Sequence, residues 1–197
     1  MSDFYSKNAA WLTKKYESVS PEKIHDIWLS CLPETKALIL DIGAGSGRDA
    51  AWLAEKGHEV IAVEPSDGMR KKARRLHLSS SIKWIKDSLP ELKKIRELKQ
   101  KFDIILLSAV WIHVLPEERE AALKNLSCLL RADGHLIISL RQGEPPDERV
   151  MHQCTIKEMK NTAKKTGWQI IKQSKKTDGL NRKDVSWEII ILTRKVC

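Results

Sequence analysis

The stretch Leu38-Ile39-Leu40-Asp41-Ile42-Gly43-Ala44-Gly45-Ser46-Gly47-Arg48-Asp49 decides the fold. It begins in a short apolar run, Ala37 to Leu40, that reads as a buried strand. Ala50, Leu53 and Ala54 beyond it have helical spacing. The glycines sit where the strand passes into the helix. There they let the backbone turn tightly and lie against a ligand, because any Cβ would fill that space. The helix N-terminus behind them offers free N–H groups to an anion. One strand further on, Glu59-Val60-Ile61-Ala62-Val63 runs into Glu64, and a carboxylate at that point can accept both hydroxyls of a ribose.

Working outward, Ile82 to Ile85, Phe102 to Leu107 and Leu136 to Leu140 are further apolar runs that read as strands. Ala122, Leu123, Leu126, Leu129 and Leu130 fit one face of a helix starting at Pro116. Residues 3–32 predict two helices, with Pro21 opening the second. The Pro/Gly-containing stretch Arg141 to Asp147 predicts a loop. A helix over 155–166, a strand near Trp168 to Gln173, a turn at Asp178-Gly179 and a strand from Val185 to Thr193 complete the chain. The fold class is α/β: a doubly wound, mostly parallel seven-stranded sheet with helices on both faces and an antiparallel C-terminal hairpin at one edge. One domain is expected, with an N-terminal helical lid (1–35), a cofactor-binding core (36–140) and a C-terminal substrate-side segment (141–197).

A chain of 197 residues suits one domain with a full core, and its 42% apolar and 31% charged residues exclude whole-chain disorder, collagen and coiled coil. No apolar stretch approaches the ~18–20 residues of a membrane span. Met1-Ser2-Asp3-Phe4-Tyr5 carries no signal peptide, so a cytoplasmic location is expected. Cys31, Cys128, Cys154 and Cys197 form no CxxC pair and read as free thiols, and no metal site is expected. Net charge is +9, and Arg70 to Lys101 holds 12 basic against 3 acidic residues. That window reads either as a nucleic-acid surface or as the solvated face of surface helices.

Two ligand classes use a glycine loop of this kind. A dinucleotide site wants a third glycine at position 48, where this chain has Arg48. Asp41, two residues before the first glycine, repels a pyrophosphate and welcomes a cation or an α-amino group. The ligand that fits is zwitterionic at one end and carries a ribose and base at the other.

Asp41 to Gly47 followed by Ala62-Val63-Glu64-Pro65-Ser66 resembles the class I (Rossmann-like) S-adenosylmethionine-dependent methyltransferases. Lys86-Asp87-Ser88-Leu89, Phe102 to Ser108 and Leu129 to Ile138 extend the resemblance over roughly residues 37–140, with Asp133 where the family usually has Gly. The resemblance implies S-adenosyl-L-methionine as cofactor and S-adenosyl-L-homocysteine as product. It implies that Gly43, Ala44 and Gly45 line the methionine part, Asp41 attracts its ammonium and Glu64 binds the ribose. Pro65 and Met69 would pack near the adenine, Asp87 would accept from its amino group beside Ser88 and Leu89, and Ser108, Ala109 and Val110 would close the pocket near the sulfonium. Arg48 is a candidate for the cofactor carboxylate, for a substrate anion, or for an ion pair with Asp49.

Ligands of doubly wound sheets sit at the carboxyl ends of the strands. Trp111, His113 and Arg141 are therefore substrate candidates, with Tyr5, Asn8 and Trp11 as lid residues. His113, with a reference pKa of ~6.5, is the candidate base for an acceptor that arrives protonated. The Arg141 loop with His152 suits an acidic group on the acceptor. After the fourth strand, Ser108-Ala109-Val110-Trp111 lacks the Asn/Asp-Pro-Pro-Tyr/Phe segment by which related enzymes hold planar nitrogens, which argues against nucleobase amino groups. The leading expectation is methyl transfer to a small molecule, by a monomer or homodimer. An RNA methyltransferase using the basic window and a non-catalytic cofactor-binding protein are the alternatives, and a NAD-dependent oxidoreductase comes last.

Overall fold

The computed structural model describes residues 2–78 and 81–194; Cys197 lies outside them. Strands β1 (Leu38–Ile42), β2 (Glu59–Val63), β3 (Ile82–Ile85), β4 (Phe102–Leu107), β5 (Leu130–Gln142), β6 (Trp168–Thr177) and β7 (Ser186–Arg194) form one sheet in the order β3-β2-β1-β4-β5-β7-β6. The pairs from β3 to β5 are parallel, whereas β5–β7 and β7–β6 are antiparallel. The strand order reverses between β1 and β4, which is the switch point of a doubly wound sheet.

The central strands read as continuous apolar runs because both of their faces are covered. Leu40, Ile42, Ile61, Val63, Ile105 and Leu107 point into one core layer. That layer also holds Ile95 of α6 (Lys93–Glu97), Leu123 and Leu126 of α7 (Arg119–Ser127), and Met159 of α8 (Ile156–Lys165). Ile39, Val60, Ala62, Ile104 and Leu106 point the other way, against Ala50 and Leu53 of α4 (Arg48–Glu55) and against Trp28. Helix α5 (Asp67–Leu76) follows β2, and Ser66 caps it by accepting from the Met69 N–H.

Three sequence expectations are corrected. The N-terminal region is not two helices. It forms α1 (Ser2–Lys7), α2 (Ala9–Glu17), α3 (Pro21–His25) and a 3₁₀ turn Asp26–Cys31. The helix expected from Pro116 through Leu130 begins as a 3₁₀ turn Pro116–Glu118 and ends at Ser127. Leu129 lies beyond it, and Leu130 already pairs with Phe102 as the first residue of β5. Strand β5 is accordingly much longer than the Leu136 to Leu140 run, with a register irregularity before His135.

Candidate functional site

The glycine turn is held from two sides. Gly43 has φ +69°, and a Cβ there would lie 2.4 Å from Val110 Cγ2. The N–H groups of Gly43 and Ala44 donate to the Val63 carbonyl. Glu64 fastens the loop to the end of β2: its Oε2 accepts from Gly45 N–H at 2.9 Å, and its Oε1 accepts from Ser66 N–H at 2.8 Å. Burial pushes the Glu64 carboxyl up from its ordinary range. Asp41, the fourth residue of β1, is buried on the same side, and its Oδ2 has no hydrogen-bond partner among the described residues. Burial first, then the Asp49 charge, raises the Asp41 pKa well above the usual carboxylate value.

Beside them, Arg48 Nε donates to Asp49 Oδ1 at 2.7 Å, and Arg48 Nη1 donates to the Tyr16 carbonyl at 3.1 Å. Asp49 Oδ2 also meets His25 Nε2 at 2.9 Å, while His25 Nδ1 accepts from Trp28 Nε1. The Arg48 guanidinium and the His25 ring beside it hold the Asp49 carboxyl far below its ordinary value despite its burial. At the end of β3, Asp87 accepts from the Ser88 and Ile95 N–H groups.

These residues line one cavity of about 530 Å³ at the carboxyl ends of the parallel strands. Of the cofactor candidates, Asp41, Gly43, Ala44, Gly45, Arg48, Glu64, Pro65, Asp87, Ser88, Leu89, Ser108, Ala109 and Val110 line it. Of the substrate candidates, Tyr5, His113 and Arg141 line it.

Met69, Trp11 and Trp111 do not. Met69 is buried with Ala9 and Leu12 in a small cluster between α5 and α2. Trp11 is 51% exposed, because Leu12, Lys15 and Tyr16 occupy the cavity side of α2 and Trp11 falls off that face. Trp111 is wholly buried in the layer of α7 and α8. It opens a three-residue 3₁₀ turn whose side chains fan out by about a third of a turn each, so Ile112 and His113 face the cavity and Trp111 the core. Asn8 turns its amide onto the Phe4 carbonyl, and His152 lends its carbonyl to Arg119; neither lines the cavity.

The sequence reading missed Arg149. Its guanidinium forks onto Asp147, with Nε–Oδ1 at 2.6 Å and Nη2–Oδ2 at 2.7 Å. Nη1 then donates to the hydroxyls of Tyr5 (3.2 Å) and Tyr16 (3.3 Å), tying both N-terminal helices to the loop after β5. Tyr5 Oη, which accepts from Arg149, also shares a hydrogen bond with His113 Nε2, 2.8 Å away. Burial and the Arg149 charge lower the His113 pKa to about 4, so its imidazole is neutral at neutral pH. Tyr16 had a weak signal in its spacing from Ala9 and Leu12. Arg149, in an irregular loop, had none. The remaining wall comes from Ser139 of β5 and from Asp178, Arg182 and Trp187 around the β6–β7 turn. Asp178 organises that turn, accepting from Arg182 and from Trp187 Nε1, contacts that keep its carboxyl well below the ordinary range.

An open doubly wound sheet with a glycine-lined cavity at its switch point is the Rossmann-like architecture. Residues 39–134 match the family model described as methyltransferase domain. An uncharacterized methyltransferase of Staphylococcus carnosus is 36% identical over 100 residues, 51% of this chain and 45% of that protein. The chain thus matches about half the length of this curated relative. A TehB-like SAM-dependent methyltransferase from Corynebacterium glutamicum superimposes with a TM-score of 0.68 at 20% identity, covering 98% of this chain and 100% of that one. Magnesium protoporphyrin IX methyltransferase from Synechocystis, solved with bound SAH, gives a TM-score of 0.69 at 17% identity over 88% of this chain and 81% of the other. Residues 39–134, just under half of the chain, are thus similar to a methyltransferase domain.

Proposed function

We propose that this chain binds S-adenosylmethionine and transfers its methyl group to a small-molecule acceptor. The observation that carries this reading is one continuous cavity, bounded by the glycine loop and strand ends and roofed by Ser2, Tyr5, Leu12, Lys15 and Tyr16 of the N-terminal helices. Its volume is in the range of sites for a cofactor and a small partner. Among the similar proteins, the Synechocystis enzyme bears the name of a tetrapyrrole substrate, a small molecule.

The residues present fit the cofactor on two counts. The buried, unpartnered Asp41 Oδ2 suits an ammonium group. The Gly43 turn leaves room that a Cβ would fill. In this reading Asp41 holds the ammonium and Gly43, Ala44 and Gly45 flank the methionine part. Glu64 uses its remaining lone pairs for the ribose hydroxyls. Pro65, Asp87, Ser88 and Leu89 take the adenine. Ser108, Ala109 and Val110 shape the wall near the reacting centre, and Arg48 braces the loop through Asp49.

The bound cofactor supplies an activated methyl group on a sulfonium. What the chain adds is alignment and exclusion of water, the work of the roofing helices. For an acceptor that arrives protonated, the neutral His113 and the Tyr5 hydroxyl on it form the pair that would take the proton. An RNA methyltransferase and a cofactor-binding protein without turnover are the competing readings.

Calorimetry with S-adenosylmethionine, S-adenosylhomocysteine and NAD tests the cofactor, with the first two expected to bind and NAD not. Glu64→Ala should weaken binding by about 1.5–3 kcal/mol, the worth of hydrogen bonds to a charged group. Unchanged affinity in that variant would remove the ribose assignment. Labelled S-adenosylmethionine incubated with fractionated cell extract should place label in small molecules. Label in RNA, or none at all, favours one of the competing readings.

A further inference from the structure

The cavity wall carries both paired and unpaired charges: Arg48 and His25 meet Asp49 beside the glycine loop. At the glycine-loop end, Asp41, Glu64 and Asp87 carry no ion-pair partner among the described residues. Around the loop after β5 and the β6–β7 turn, four charged side chains neutralise one another: Arg149 pairs with Asp147 and Arg182 with Asp178. Two cations in the same corner are left over. Arg141 is 4% exposed, and its terminal nitrogens donate only to the backbone carbonyls of Gly143 and Glu144. Its Nε is buried and has no partner among the described residues. Lys15 rests over the Trp11 ring at 4.9 Å and has no carboxylate partner among them either. Both feel the same four charges, Arg149, Arg182, Asp147 and Asp178, and for both burial and the neighbouring arginines lower the pKa. A buried guanidinium without a counter-ion costs stability, and a protein retains one where a ligand supplies the missing charge.

We infer that Arg141 and Lys15 form the subsite for an oxyanion group of the methyl acceptor, a carboxylate or a phosphate. The inference rests on the methyltransferase reading of the cavity and adds to it the chemical class of the second ligand. The guanidinium is fixed by the Gly143 and Glu144 carbonyls, so its Nε–H is held in place rather than free to follow solvent. Arg141 sits opposite Trp187 in the β5–β7 ladder, and both line the cavity, so an apolar surface flanks the cationic one. A cationic cofactor at the unpaired carboxylates and an anionic acceptor at Arg141 and Lys15 would attract each other within the one cavity.

The test uses the full chain, with and without S-adenosylhomocysteine, and follows the Arg141 Nε–H signal by NMR. Formate and inorganic phosphate are the probes, with formamide as the neutral control. Formate and phosphate should shift that signal saturably and formamide should not. Arg141→Lys, which keeps the charge and loses the fork, should weaken formate binding, followed in wild type and variant alike by the indole N–H signal of Trp187 opposite it, by about tenfold or more, since a charged hydrogen bond is worth roughly that. Should that variant fail to fold, Lys15→Met serves, with a severalfold loss expected. An Arg141 signal that ignores formate up to about 0.1 M, where screening is strong, overturns the subsite. So does an equal response to formamide. If formate acts on Arg141 while S-adenosylhomocysteine fails to bind, the cofactor reading falls and the anion subsite stands. The reverse result leaves the cofactor reading and removes the subsite.

Discussion

At Asp41, folding and the proposed cofactor binding pull in opposite directions. Burial and Asp49 raise its carboxyl pKa, so the folded chain resists ionising it. Stability is therefore lost as pH rises from the ordinary carboxylate value of ~3.9 toward the raised folded value. Asp41→Asn removes that cost. It should raise the melting temperature of the ligand-free chain while weakening S-adenosylmethionine binding by about 1.5–3 kcal/mol, as scanning fluorimetry and calorimetry would show. A variant both less stable and unchanged in affinity would contradict the assignment. His113 titrates with the opposite sign. Its folded pKa of about 4 lies below the unfolded value of ~6.5, so its contribution is full above ~6.5 and is lost as pH falls toward 4. The linkage is worth up to about 3 kcal/mol. Urea unfolding of wild type and His113→Asn between about pH 4.5 and 7.5 should show a flatter acid slope in the variant. Asp41 and Glu64 were legible in the sequence because a strand end and a glycine turn fix where their side chains go. Lys15 and Arg149 were not. Their place depends on helices and a loop that no periodic pattern orients toward the sheet.

Among the elements, α1 and α2 are tied to the core at identifiable points. Gly68 admits α1, since a Cβ there would lie 2.5 Å from the Ser6 carbonyl oxygen. Ser6 and Ser66 share a hydrogen bond at 2.8 Å, and Arg149 holds the Tyr5 and Tyr16 hydroxyls. Arg149→Met cuts the last of these and leaves Asp147 without its partner. Amide exchange should then quicken across residues 2–17 while β1, β4 and β5 keep their protection, because local opening follows the local contacts. Uniform loss of protection would instead make Arg149 a core residue. The sequence placed β2, β3 and β4 at their observed bounds, since each is a short apolar run closed by polar residues. It misplaced the α7–β5 boundary because Leu129 and Leu130 continue the helical spacing by coincidence. What stops the helix is the pairing of Leu130 with Phe102, a contact between residues 28 apart that local spacing cannot encode. The N-terminal region was misread for a similar reason. Its short helices depend on docking against α5 and on the Trp28 layer more than on their own propensity.

For the whole molecule, counting alone located the excess charge, but the strand order was needed to say what that charge faces. β3 is the outer strand of the parallel half, with α5 before it and α6 after it in the chain. Asp67, Arg70, Lys71, Arg74 and Arg75 gather in a shallow basic groove on α5, and none of them lines the large cavity. A cofactor site and a basic surface that share no residue should behave independently. The expected outcome is weak, non-selective RNA binding that falls steeply with salt, with a slope that counts phosphate contacts. Lys71→Glu, Arg74→Glu and Arg75→Glu combined should abolish it and leave S-adenosylhomocysteine affinity within about twofold, because none of these three exposed side chains lines the cavity and salt screens exposed charges. Filter binding across a salt series and calorimetry on the same preparations measure the two separately. A structure-selective, submicromolar RNA complex at ~150 mM salt would reverse the order of the two enzyme readings, because non-specific attraction does not survive that screening with such affinity. Cofactor affinity that falls together with RNA binding in the triple variant would show instead that the basic edge and the cavity are coupled through α5, whose Met69 packs against α2 under the roof of the site.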